Sequence, residues 1–406
     1  MPASTNPILS RKLLAVLYLE FALTGTVTTL LGPLIPHLMK RCAMSDANAG
    51  LLIAAQFGGG LVGALFANRN LRGSLMAGMP LISIGVGALL FSPCRLSYFC
   101  TACYGVGLGL TMAAINLIVA GRRSEQRASS LTLLNFVWAA GALSSPMLVE
   151  WARRFQILPE SLLGLGVAGL VLWSATILGN LSLAPAHETR SQGSWRSPSL
   201  LFFGALLFLY VGVETSVGDW TALYAMRVQH ANDSVAASSV ACFWLALLAG
   251  RLLHAALLTR IPETLIYWLS LAVALGGMLL YLLSHSSVQI LLAAAVTALG
   301  LAPIFPLIVS RASDSLLACR NSGWVFSSAS LGGALVPWLT GQTSARFGSL
   351  RVAFLVPAAA AMFIVALSLA GLGVKRSRSK FAGSSVPPSG TAPQRRASES
   401  LDADTP

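Results

Sequence analysis

The chain has 406 residues, of which 55% are hydrophobic and only 10% charged. Ordinary soluble domains carry roughly 25% charged residues, so this composition argues against one and for a protein embedded in a membrane. The formal net charge of +13 arises from 27 basic against 14 acidic residues, but the basic ones are scattered in short clusters between apolar runs. With no interleaved basic and aromatic patch, a nucleic-acid-binding surface is excluded.

A helix that crosses a bilayer needs about 20 mostly apolar residues, because a rise of about 1.5 Å per residue must cover about 30 Å of hydrocarbon. The chain opens on the polar MPASTNPILSRK. The apolar run that follows is too long for a signal-peptide core and lacks a small-residue cleavage site, so no cleavable signal peptide is expected. With charges, Pro and Gly clusters and polar turns as punctuation, the apolar runs predict an all-α polytopic protein with twelve spans. Their limits are about 13–37, 47–67, 73–92, 96–120, 130–151, 159–181, 200–226, 235–258, 262–284, 287–310, 322–345 and 350–373. The longest connection, 182–199, divides a six-helix bundle at 1–181 from a second at 200–373. Residues 374–406 are rich in Pro, Ser and Gly and read as a disordered cytoplasmic tail.

Of the 27 Lys and Arg, 19 fall on the side of the two termini and 8 on the other, so both termini are expected in the cytoplasm. The six cysteines include Cys100 and Cys103 in a CxxC within the apolar YFCTACYGVGLG. Without a second pair or a histidine cluster these read as small buried hydrophobes, not as a metal or redox site. Cys42 and Cys94 fall in loops outside the cytoplasm, where a disulfide between them is open.

The halves repeat. FALTGTVTTLLG at 21–32 aligns with FLYVGVETSVGD at 208–219, placing Gly25 opposite Gly212 and Val27 opposite Glu214. AAGALSSPML at 139–148 matches LGGALVPWL at 331–339, with Gly141 opposite Gly333, at nearly the same offset. Six is an even number, so the two copies share one orientation, which is a parallel-repeat plan.

A charged side chain at the centre of a membrane helix costs roughly 2.5–3.5 kcal/mol, so an intramembrane acid is a candidate functional group. Glu20 and Glu214 lie inside spans. Glu20, Thr24 and Thr28 recur every four residues on the first span, and Tyr210, Glu214 and Thr221 share a face of the seventh. Such stripes are expected to line a water-filled cavity; the alternative for each Glu is a hydrogen bond to a neighbouring helix alone. Asp219 lies about 140° round the helix from Glu214 and nearer the outer surface, and is read as an outer-rim acid. Further candidates are Gln56, Asn116, Asn135, Trp138, Trp244, Asn321 and Trp324. Amides and carboxylates recognise sugar hydroxyls and aromatic faces pack on sugar C–H surfaces, although helix packing would use the same residues. No Ser-His-Asp arrangement, HExxH or P-loop is visible, so neither an enzyme, a cofactor nor a metal is expected.

LTGTVTTLLGPLIPHL (23–38), DANAGLLIAAQFGGGLVGA (46–64), YVGVETSVGDW (210–220), GLAPIFPLI (300–308) and GGALVPWLTG (332–341) resemble the major facilitator superfamily, and within it the fucose permease-like sugar transporters. The resemblance covers about residues 13–373. It implies two six-helix bundles that rock about a central site, a cavity lined by the first, fourth, seventh and tenth spans, and a binding or coupling role for Glu214, the acid of the YxGxE motif. It departs in GALFANRNLRG at 63–73, where Ala67 replaces the Asp of a cytoplasmic latch. Arg69 and Arg72 remain there as gate candidates, with Arg251 as their second-half counterpart. The expectation is a monomeric inner-membrane transporter of a small polar solute, a monosaccharide foremost, coupled to H+ or Na+. Efflux of an amphipathic compound, or a non-transporting receptor or scaffold of the same fold, are the alternatives.

Overall fold

The computed structural model describes residues 11–67, 70–120, 124–179, 198–258, 260–317 and 323–382. The first half holds α1 (Arg11–Thr28), α2 (Leu31–Cys42), α3 (Asp46–Ala67), α4 (Leu71–Ala88), α5 (Ser97–Ala120), α6 (Ser124–Arg154) and α7 (Leu158–Leu178). The second holds α8 (Pro198–Val228), α9 (Asp233–Leu257), α10 (Glu263–Leu283), α11 (Ser287–Leu301), α12 (Ile304–Leu317), α13 (Gly323–Phe347), α14 (Leu350–Ala353) and α15 (Leu355–Ala382). The connection expected at 182–199 lies outside the described residues up to 197.

Among the described residues ten helices are long and apolar enough to cross a membrane, or eleven with α1 and α2 as one bent span. The remaining expected span is α13, a 25-residue helix rich in Gly, Ser and Thr. It packs between α3 and α8, so its neighbours rather than lipid cover its polar groups. Leu117, Phe136, Met147, Leu292 and Met362 are exposed on the bundle surface, as a hydrocarbon surround requires. Inside the first half, Leu13, Leu17, Phe21, Leu75, Ile115 and Leu134 form one apolar core.

The first span differs from the single run expected at 13–37. It breaks at Thr29–Leu30 and bends by 44°. The cause is Pro33, whose ring removes the amide that would bond to the Thr29 carbonyl and clashes with it. A second break, at Ala302–Pro303 between α11 and α12, has the same origin.

Glycines set the closest helix crossings. A Cβ on Gly25 would lie 2.1 Å from the Trp138 carbonyl oxygen, and one on Gly141 would lie 2.0 Å from that of Ala22, so α1 and α6 touch backbone to backbone. The second half repeats this between α8 and α13, where a Cβ on Gly332 would lie 1.9 Å from the Phe208 carbonyl oxygen. The packing counterpart of Gly141 is therefore Gly332, while Gly333 faces the Phe57 ring across the halves. The two halves meet along α3 and α13, α6 and α9, and α2 and α8.

Through Ala366 the chain forms one compact unit, which contains every residue of the candidate site. The second unit begins at Leu367 and is helical through Ala382, past the expected end of the last span at 373.

Candidate functional site

Glu214 lies midway along α8, its side chain buried where α8 and α9 pack. A charge there must be paired, and it is. Arg251 on α9 places Nη2 3.5 Å from Glu214 Oε1, and the Tyr210 hydroxyl, one turn back on α8, donates to the same oxygen at 3.1 Å. The Tyr210 ring packs on Phe305 of α12 at 5.7 Å. From the first half, Trp138 on α6 brings its ring to 6.0 Å from the Arg251 guanidinium. It also meets Trp244 of α9 edge to face at 6.0 Å. The indole of Trp244 in turn rests on Gly218, 3.1 Å from where a Cβ would stand, one turn beyond Glu214.

Two donors in this cluster have no hydrogen-bond partner among the described residues: Arg251 Nε and Trp138 Nε1, both buried. Buried donors are almost always satisfied, so two of them, one on the arginine that pairs with Glu214 and one on the indole that faces that arginine, form a site chemically suited to hydroxyl groups.

The other sequence candidates scatter. Glu20 is fully buried between α1 and α7, where the Thr176 hydroxyl donates to Oε1 at 2.7 Å and Oε2 has no partner among the described residues. Thr24 and Thr28 turn back on their own helix, donating to the Phe21 and Thr24 carbonyls at 2.7 Å each. Gln56 is a structural tie: its Nε2 donates to the Thr28 carbonyl at 2.7 Å, and it accepts from Tyr104 at 2.8 Å. Asn116 bonds within its helix to Met112, and Thr221 pairs with Tyr281 of α10 at 2.7 Å. Asn135 is exposed on α6 and Arg72 on α4. Arg69, Asn321 and the Trp324 side chain lie outside the described residues. Arg251, expected at a gate, stands beside Glu214 instead. Asp219, expected at an outer rim, is only 5% exposed and faces Gly32 of α2.

Sequence reasoning passed over a charged closure at the end of the bundle that holds the α2–α3 and α8–α9 turns. Asp46, in the first turn of α3, pairs with Arg227 at the end of α8 at 2.5 Å and accepts from Ser344 of α13 at 2.5 Å. Asp233, in the first turn of α9, pairs with Arg153 of α6 at 2.8 Å, and Arg154 donates to Ser234 at 2.8 Å. Both acids reach into the opposite half. The signal was available: Asp46 and Asp233 stand at the same offset as Gly25 and Gly212, hence at equivalent places in the repeat. A cavity of about 690 Å³ lies over the first of these pairs, lined by Ser45, Asp46, Arg227, Ser344 and Arg351. At the same end a disulfide joins Cys42 to Cys94, with Cα atoms 5.6 Å apart.

Two repeated helical halves that meet around a buried polar cluster define a multi-pass membrane protein with the major facilitator fold. Known proteins agree. The chain is 26% identical over 392 residues to the "Glucose/galactose transporter" of Brucella abortus biovar 1 (strain 9-941), covering 88% of this chain and 93% of that one. It is 21% identical over 363 residues to the "Sodium-dependent glucose transporter 1" of Xenopus laevis, covering 79% and 74%. The crystal structure of the nucleoside transporter NupG superimposes with a TM-score of 0.69 at 12% identity, over 89% of this chain and 98% of the other, and shares the fold. No protein-family profile matches the chain.

Proposed function

We propose that this protein is a secondary transporter that carries a monosaccharide across the inner membrane by alternating access, coupled to a cation. The observation that carries the reading is the pair of unsatisfied buried donors, Arg251 Nε on the arginine that pairs with Glu214 and Trp138 Nε1 on the indole that faces that arginine and meets Trp244. A hexose offers what they lack: hydroxyl oxygens for the two donors, a hydroxyl hydrogen for the carboxylate, and a C–H face for an indole. Since Trp138 belongs to the first half and the other three to the second, a solute bound here would touch both and sense their rocking. The glucose-transporting relatives point to the same substrate class.

Both termini are placed in the cytoplasm and the protein acts as a monomer in this reading. The end closed by Asp46–Arg227 and Asp233–Arg153 then faces outward. The excess of basic residues on the terminal side supports that orientation, as does the disulfide at the closed end, since such bonds persist in oxidising compartments.

The test is counterflow and uptake in proteoliposomes with a panel of hexoses, with and without an imposed proton or Na+ gradient. Counterflow of a hexose and its accumulation against a gradient are expected. Glu214→Gln should abolish counterflow, and unimpaired exchange by that variant would remove Glu214 from the site. Export of amphipathic dyes with no hexose exchange would replace the reading with efflux, and binding without counterflow would leave a receptor.

A further inference from the structure

The second acid of α8 is placed differently from the first. Asp219 is 5% exposed, at the seam where α8 of one half crosses α2 of the other. A Cβ on Gly32 would lie 2.8 Å from the Gly218 carbonyl oxygen and 3.2 Å from Asp219 Oδ1, so the two backbones approach as closely as a glycine allows. Helix α2 begins at Leu31, immediately after the break in the first span. The carboxyl group therefore faces the first turn of a half-helix and accepts a hydrogen bond from the Gly32 amide there.

Every other acid that ties the halves together, or that shapes the site, has a cationic partner: Arg251 for Glu214, Arg227 for Asp46 and Arg153 for Asp233. Among the described residues, no Lys or Arg pairs with Asp219. The titratable groups around it are few. From α5 the Tyr104 phenol, whose proton is already donated to Gln56, lies within electrostatic reach of it. From α2 it meets the Gly32 backbone, with half-buried His37 further along that helix, and from α9 the indole of Trp244 beside Gly218. With the Gly32 amide as its hydrogen-bond donor but no cation to offset burial between two apolar helices, an ionised carboxyl is costly here, and a bound proton removes the charge.

We propose that Asp219 carries the coupling proton and that its protonation licenses closure of the α2–α8 seam. This rests on the symport reading above and assigns the coupling ion within it. While the seam is open, the hydrated carboxylate takes a proton from water on that side. The proton then rides on a carboxyl oxygen through closure, and it passes to water in the central site, little more than one turn away at Glu214, when the opposite end opens. Glu214, already neutralised by Arg251, is left to bind the solute.

The test follows closure directly, without needing a solute. Spin labels at Lys40→Cys and His285→Cys, both exposed, report the separation of the halves at this end in a chain whose Cys100, Cys103, Cys242 and Cys319 are replaced by Ser. In the otherwise native chain the long-distance population should grow from acid to alkaline pH. Asp219→Asn, a neutral isostere, should make the distance distribution independent of pH, and His37→Gln should leave the titration unchanged. In proteoliposomes, Asp219→Asn should keep hexose counterflow but lose solute-driven proton uptake and gradient-driven accumulation. A pH response that survives Asp219→Asn, or that vanishes in His37→Gln, overturns the proposal. So does accumulation driven by Na+ alone. Absence of counterflow in the native chain would instead refute sugar transport, while the spin-label titration would still decide the role of Asp219.

Discussion

Glu214 and Arg251 stand or fall as a pair. Removing one member of a buried ion pair leaves an uncompensated charge and typically costs about 3–5 kcal/mol, whereas removing both charges costs far less. Arg251→Ala should therefore destabilise the folded protein more than Arg251→Ala combined with Glu214→Gln, with a coupling of about 1–3 kcal/mol in a thermal-unfolding cycle. Additive losses would mean that the 3.5 Å contact contributes nothing. Trp138 can be separated into a ring and a donor. Trp138→Phe keeps an aromatic face but deletes the orphan Nε1–H, and an uncompensated hydrogen bond of about 1–1.5 kcal/mol predicts a roughly tenfold weaker apparent affinity for the solute. Equal affinity for native protein and variant would remove this donor from the recognition set.

At the scale of helices, the crossings of α1 with α6 and α8 with α13 are set by backbone contact through glycine. An added methyl has no room at Gly141 or Gly332, because what it would meet is a carbonyl oxygen of the facing helix rather than the end of a flexible side chain. Overpacking of this kind costs about 1–3 kcal/mol, and either Gly→Ala substitution should lower the thermal midpoint accordingly. Gly58, beside which nothing lies within 4 Å, is the control, and its substitution by Ala should be neutral or stabilising. The glycine runs were legible as places of close approach, but which carbonyl each one meets was not. That depends on helix rotation, which neighbours set.

For the whole molecule the question is what holds one end shut. Arg227 and Arg153 are 45% and 37% exposed, so each ion pair is worth at most about 1 kcal/mol. Neither alone locks the structure. Asp46→Asn should shift the closed-to-open ratio by about fivefold, and adding Asp233→Asn should multiply that shift, since well-separated sites add. The Lys40–His285 spin-label distance reads this directly. No change in the double variant would show that packing of α3 on α13 and α6 on α9 suffices to close this end.

The number, order and approximate limits of the helices were readable without coordinates, because a bilayer of fixed thickness imposes a length and an apolarity on every span. The repeat was readable for a related reason: equal halves must pack alike, and glycines recur at nearly one offset. An acid in the middle of an apolar run also declares itself. Its partner does not. Arg251 is 37 residues from Glu214, and Trp138 comes from the other half of the chain, so only packing could reveal that they converge. The polar stripe of α1 faces its neighbours because hydroxyls can satisfy themselves on their own helix. Asp219 is buried because the broken first span tilts α2 across it, and a depth counted along one helix says nothing of what crosses over it. The sequence by itself determined which segments enter the membrane, since that depends on each segment's own length and polarity. Only the tertiary structure decided which buried acids have a cationic partner and which do not, since that depends on contacts between segments far apart in the chain.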